Sequence, residues 1–156
     1  MILSRTSQYA IQALIYMAMQ PRNEVLLNQT IAKNTGAPPS YLAKVLQSLC
    51  KGNLIHSCRG KQGGFSLGKN GKKITLIEIV LITEGPEFTK HCVLGLKICD
   101  NENPCPMHVK WAPIKQNIVE LLENQTLDTL AIAVTSGKYQ LANLPAAVFN
   151  ESGLCK

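Results

Sequence analysis

Three cysteines and one histidine fall within a 17-residue stretch, Cys92-x6-Cys99-x5-Cys105-x2-His108. Thiolates are soft donors that select zinc and iron–sulfur clusters. Three thiolates and an imidazole complete a four-coordinate zinc site. They equally supply the four protein ligands of a 2Fe–2S cluster, two per iron. The spacing weighs against zinc, because structural zinc knuckles usually hold a close two-cysteine pair and this stretch has none. A thiol redox switch is the third chemistry open to these side chains. Pro86, Gly95, Pro104 and Pro106 break regular structure around them. The expectation is a long irregular loop over 86–108 that lets the donors converge on one centre. The other cysteines lack such a setting. Cys50 falls on an expected helix, Cys58 in an expected strand, and Cys155 next to the last residue. All three read as bystanders, as do His56 and His91.

The charge distribution adds a second chemistry. The 156-residue chain carries a net charge of +6, divided very unevenly. Residues 1–73 hold ten basic side chains against the single acid Glu24, a balance of +9, whereas residues 74–156 hold six basic and nine acidic, a balance of −3. A front half of this kind is built to meet a polyanion, and the rear half serves some other purpose. Apolar residues at 46% and charged residues at 17% are enough to fill a core and exclude an intrinsically disordered chain. The longest early apolar run, Ala10–Met19, is too short to span a bilayer, and no small-x-small cleavage site precedes Pro21. A cytoplasmic location follows, and in a reducing cytoplasm cysteines serve metals or redox chemistry rather than structural disulfides.

Periodicity then assigns the elements that position these groups. Ser4 to Gln20 reads as a first helix with Ala10, Ala13, Leu14 and Met17 on one face. Val25–Leu27 is a short extended piece, and Asn28 caps a second helix through Asn34. Gly36 supplies a tight turn, and a third helix runs from about Ser40 to Lys51. Its Leu42, Val45, Leu46 and Leu49 face inward and Tyr41, Lys44, Ser48 and Lys51 outward. Two short helices joined by a glycine turn form a helix-turn-helix. Leu54–Ser57, the basic glycine-rich turn around Arg59-Gly60-Lys61-Gln62-Gly63-Gly64 and the strand after it form a hairpin wing. Beyond it, Ile74–Thr83 is a linking helix stopped by Gly85-Pro86. Trp111, Ile114, Ile118, Leu121 and Leu122 make one stripe of a long helix ending near Asn124. Thr126 caps a last short helix, Leu127 to Thr135, and 136–156 shows no period and is expected to be partly disordered.

The basic winged helix, the Arg59-Gly60-x-x-Gly63-Gly64 wing, the linking helix and three cysteines ahead of a long helix together resemble the IscR/NsrR family (the Rrf-two regulators). The resemblance covers about residues 1–135. It implies a mainly α fold with a small β-hairpin wing: a winged helix-turn-helix plus a long dimerisation helix, here about 107–124. It implies a homodimeric bacterial regulator, usually a repressor, with an iron–sulfur cluster in the cysteine loop. Cluster loss, oxidation or nitric oxide then changes DNA affinity. The gap between the first two cysteines is six residues, one more than the family's usual five. His108 stands where IscR-like members carry a histidine ligand, and the Ser7-Gln8-Tyr9 stretch lacks the carboxylate that NsrR-like members draw from the partner's first helix.

The expectation is therefore a winged-helix domain over 1–73, a linking, cluster-binding and dimerising unit over 74–135, and a tail over 136–156. Ligands are Cys92, Cys99, Cys105 and His108, holding a 2Fe–2S cluster, with 4Fe–4S or zinc as alternatives. The partner is double-stranded DNA with a pseudo-palindromic operator. Ser40, Tyr41 and Lys44 enter the major groove, and Arg59 and Lys61 of the wing the minor groove. The rivals are a zinc- or thiol-based regulator on the same scaffold and an iron–sulfur electron carrier. No acid–base pair, nucleotide loop or nucleophile–base motif lies outside the cysteine loop, so an enzyme is not expected.

Overall fold

The computed structural model describes residues 2–60, 63–68 and 73–141. The first helix, α1 (Arg5–Met19), is the hub. Ser4 caps it by accepting a hydrogen bond from the Ser7 backbone N–H at 3.2 Å. Ala10, Ala13 and Leu14 have no exposed surface, so α2, α3, α4 and α6 all pack closely against this helix.

The second helix, α2 (Asn28–Thr35), starts one residue earlier than a capping role for Asn28 requires. Asn28 is instead its first helical residue, and its side-chain amide donates to the Pro39 carbonyl at 2.9 Å. That bond ties the start of α2 to the start of α3 (Pro39–Lys51). Gly36 between them has φ +67°, a left-handed conformation that glycine adopts without steric cost. Proline at the first position of α3 has no N–H to leave unpaired. Leu42, Val45, Leu46 and Leu49 are buried, and Tyr41, Lys44, Ser48 and Lys51 are outside, as the period predicts.

Strand β1 (Ile55–Cys58) pairs antiparallel with β2 (Gly64–Leu67), Ile55 opposite Leu67 and Cys58 opposite Gly64. Leu26 adds a third row, exchanging two 2.8 Å backbone bonds with Phe65. A side chain at Gly64 would run into the Leu26 carbonyl, which explains a glycine where the wing meets the body.

Helix α4 (Leu76–Glu84) opens with a capping box between Thr75 and Glu78. The segment after it is not wholly irregular. Pro86–Lys90 form a 3-10 turn, and the loop runs on from His91 to α5 (His108–Asn124). The expected stripe on α5 is covered along one edge only. Leu122 is buried with Ile77 and Val80 of α4, and Ile118 packs against that cluster, whereas Ile114 and Leu121 are 52% and 60% exposed. At 100° per residue the four positions share one arc of about 100°, with 122 and 118 toward the edge that α4 covers and 114 and 121 toward the other. Thr126 caps α6 (Leu127–Thr135), as expected. Leu127, Ala131 and Val134 of α6 and Leu141 beyond it join the α1 core, so one apolar cluster runs across residue 73. Residues 142–156, most of the expected tail, lie outside the described residues. No helix among the described residues is long and apolar enough to cross a membrane.

Candidate metal centre and nucleic-acid interface

Backbone turns, not a sheet or helix, bring the cysteines together. Gly95, with φ +72°, turns the chain so that its N–H bonds back to the Cys92 carbonyl at 2.9 Å. The Asp100 carboxylate accepts from the Asn103 and Glu102 N–H groups at 2.7 and 3.0 Å, folding the chain between Cys99 and Cys105. As a result the sulfurs of Cys92, Cys99 and Cys105 all lie within 4.8 Å of one another. Those of Cys92 and Cys105 are 3.6 Å apart. Two thiolates on one tetrahedral metal, each about 2.3 Å from it, sit about 3.8 Å apart, so this pair fits a single metal atom with little movement. Cys105 is buried and the other two are half-buried.

His108 opens α5 beside this group. Its Nδ1 is 3.2 Å from the Cys99 sulfur, and its Nε2 is 3.1 Å from the Asn101 side-chain oxygen. The imidazole is thus held edge-on to the site by Asn101, the arrangement by which a second partner orients a metal-binding histidine. A donor set of three thiols and one oriented imidazole fits zinc or an iron–sulfur cluster.

The thiols differ in acidity. Backbone N–H groups of Leu94 and Leu96 point at Cys92, outweigh its partial burial and, with the Cys105 and Cys99 thiols, hold it down at about 7. Cys99 receives a backbone bond from Cys105 that favours its thiolate. Partial burial and the neighbouring Cys105 and Cys92 thiols outweigh that bond and push it up. Cys92 therefore ionises before Cys99.

The basic half presents the second candidate site. Ser40, Tyr41 and Lys44 are exposed along one side of α3, and Arg59 is exposed where the wing begins. Tyr41, 40% exposed, is not a free side chain: its hydroxyl lies 2.6 Å from the Thr6 hydroxyl, and its ring meets Tyr9 edge-on at 5.8 Å. Lys61 lies outside the described residues. Of the bystanders, Cys50 is half-buried against the core, Cys58 is exposed and Cys155 lies outside the described residues.

The sequence profile of the Rrf2 family, described as iron-dependent transcriptional regulator, matches residues 3–133. The chain belongs to that family. This Rrf2 protein is 35% identical over 132 residues to a helix-turn-helix-type transcriptional regulator of Aquifex aeolicus, covering 83% of this chain and 91% of the relative. Among solved structures it is similar to IscR of T. potens, with TM-score 0.66 and 26% identity over 88% of this chain and 92% of the other. It is also similar to CymR, the global cysteine regulator of B. subtilis, with TM-score 0.69 and 25% identity over 84% and 96% of the two chains. The family and these relatives are transcriptional regulators rather than enzymes.

Sequence reasoning did not single out Asn101, Trp111 as a loop anchor, or Glu84. The Trp111 indole N–H donates to the His91 carbonyl at 3.3 Å and fastens the loop to α5. Asn101 carried a readable signal, a polar amide between two candidate ligands. Glu84 did not, because its partners are about eighty positions away.

Proposed function

We propose that this chain is a homodimeric, cytoplasmic, DNA-binding transcription regulator, a repressor, whose DNA affinity is set by an iron–sulfur cluster. The convergence of the Cys92, Cys99 and Cys105 sulfurs within 4.8 Å, between a basic winged helix and a long helix, carries this reading. Cys92, Cys99, Cys105 and His108 would hold the cluster, and four such ligands favour the 2Fe–2S form. When bound, the cluster supplies a redox- and nitric-oxide-reactive centre. The protein's own part is to orient His108 through Asn101, anchor the loop through Trp111 and keep Cys105 from water.

On DNA, α3 lies in the major groove with Ser40, Tyr41 and Lys44 toward bases and phosphates, and the wing brings Arg59 and Lys61 to the adjacent minor groove. Ile114 and Leu121, left exposed on α5, meet the same residues of a second copy. Two-fold symmetry then requires a pseudo-palindromic operator. A metal-free, thiol-based mode has one specific support: a Cys92 thiol held down at about 7 and 3.6 Å from Cys105.

Anaerobic purification with an absorption spectrum and iron and sulfide assays tests the cluster. The expected result is a coloured protein with equal iron and acid-labile sulfide. Cys99→Ala should be colourless, and a coloured Cys99→Ala protein would remove that ligand from the set. Zinc without sulfide would select the zinc reading, and a metal-free protein the thiol reading. DNA affinity of loaded and unloaded protein, measured on duplexes selected from a randomised pool, tests the regulation.

A further inference from the structure

Resting on that reading, we propose that Glu84 is the positioning residue that carries the state of the cysteine loop to the recognition helix. Glu84 is the last residue of α4, at the root of the segment that leads through the 3-10 turn to His91 and Cys92. Its carboxylate reaches across the chain to the start of α1. The Ser4 backbone N–H donates to its Oε1 at 2.7 Å, and the Ser7 hydroxyl donates to the same oxygen. Ser7 has no exposed surface, and its hydroxyl lies 2.6 Å from that of Thr83, so this half of the joint is buried.

Two features make this a latch rather than a passive cap. A carboxylate at a helix N-terminus meets unpaired N–H groups and the positive end of the helix dipole, so a negative charge holds better here than a neutral amide. The remaining side of Glu84 faces a cavity of about 440 Å³, whose other walls include Ile2, Phe88, His91, Trp111 and Ile118. His91 and Trp111 are joined by the loop anchor, so a change of loop path moves the wall against which Glu84 stands.

From α1 the connection continues to DNA. Thr6, between Ser4 and Ser7, makes the 2.6 Å contact with the Tyr41 hydroxyl at the start of α3. Shifting or tilting α1 at its first turn therefore shifts the residues offered to the major groove. The linkage runs Cys92 and His91, Trp111, Glu84, Ser4 and Ser7, Thr6, Tyr41. Coupling of this sort requires an element that both sites bias, and the first turn of α1 is that element.

Hydrogen exchange on the unloaded protein tests the latch without reference to any cluster. Glu84→Gln should speed exchange at residues 5–8 and 41–44 and leave α6 unchanged. Thr6→Val should speed it at 41–44 only. Unchanged exchange at 41–44 in both variants would overturn the proposal. The second arm compares DNA affinity of unloaded protein and protein loaded anaerobically with ferrous iron and sulfide, on a palindromic duplex selected from a randomised pool. In wild type the two should differ by about five-fold or more. In Glu84→Gln they should converge to within about two-fold at the same iron content. A wild-type ratio retained in Glu84→Gln refutes the latch. Equal affinities in wild type refute the cluster-controlled function instead, and the exchange result then decides on Glu84 by itself.

Discussion

The winged helix and the cysteine loop are neighbours built on opposite plans. In the first, Leu14, Ile31, Leu42, Leu46 and Leu49 are completely buried, and the fold is held by apolar packing around α1. In the second, Ile98 is 71% exposed and Val93, Leu94 and Leu96 also point outward, while Cys105 alone between 91 and 107 is buried. The loop is shaped by a few backbone turns and side-chain hydrogen bonds at Asp100, His108 and Trp111. A segment with so little apolar burial has low local stability of its own. A metal group bound there would add order that the loop's own packing does not supply, as the proposed sensing requires.

The largest effect that separates the two plans is on folding. Leu46→Ala should cost about 2–5 kcal/mol in chemical denaturation, through lost burial and the cavity left behind. Ile98→Ala should stay within about 0.5 kcal/mol of wild type in the metal-free protein. Similar costs at both positions would mean that the loop is as well packed as the core.

Next in size is the electrostatic contrast. Lys44→Ala should weaken DNA binding on all sequences and lower the slope of log affinity against log salt by about 1. Binding that ignores salt would remove the phosphate role assigned to the basic half.

A smaller effect belongs to the loop. In the reduced, metal-free protein, Cys92 should alkylate half-maximally near pH 7, following its lowered value of about 7. At pH 7 it should react about three-fold faster than a model-peptide cysteine, since the larger thiolate fraction is partly offset by the weaker nucleophilicity of an acidic thiol. A rate still rising steeply through pH 8.5 would show that the Leu94 and Leu96 N–H groups do not stabilise this sulfur.

The smallest effect lies at the junction. Partial burial of Glu84 raises its value, but bonds from Ser7 and Ser4, with His91 nearby, outweigh burial and hold it below the ordinary glutamate range. Stability from this joint is complete above the ordinary value of about 4.3 and is lost as pH falls through the lowered one. Glu84→Gln should therefore give a shallower loss of stability on acidification, read from denaturation midpoints between neutral and acid pH. Parallel curves for the two proteins would place the acid sensitivity elsewhere.

Much of this was legible in the residues. The period of α3 separated Leu42, Val45, Leu46 and Leu49 from Tyr41 and Lys44 correctly, because burial there follows from helix geometry alone. Asn28 was misread because a capping side chain and a first-turn side chain look alike until the carbonyl of Pro39 is brought beside it. Which edge of the α5 stripe is covered was not legible for a related reason. Ile118 with Leu122 and Ile114 with Leu121 share a broad apolar arc, and only the position of α4 decides which pair it covers. The 3-10 turn at Pro86–Lys90 escaped because five residues opening with proline carry no usable period.

By itself the sequence determined the charge division, the identity of the helices and wing, and the four candidate donors of the loop, all of them local properties of type and spacing. Tertiary structure decided that Cys92 lies 3.6 Å from Cys105, where Asn101 turns His108, and that Glu84 meets Ser4. The physical reason is range. Periodicity and turn chemistry act over a few residues, whereas these pairings depend on how α1, α4 and α5 settle against one another. That arrangement is fixed by the summed burial of many side chains, and no single window of sequence contains it.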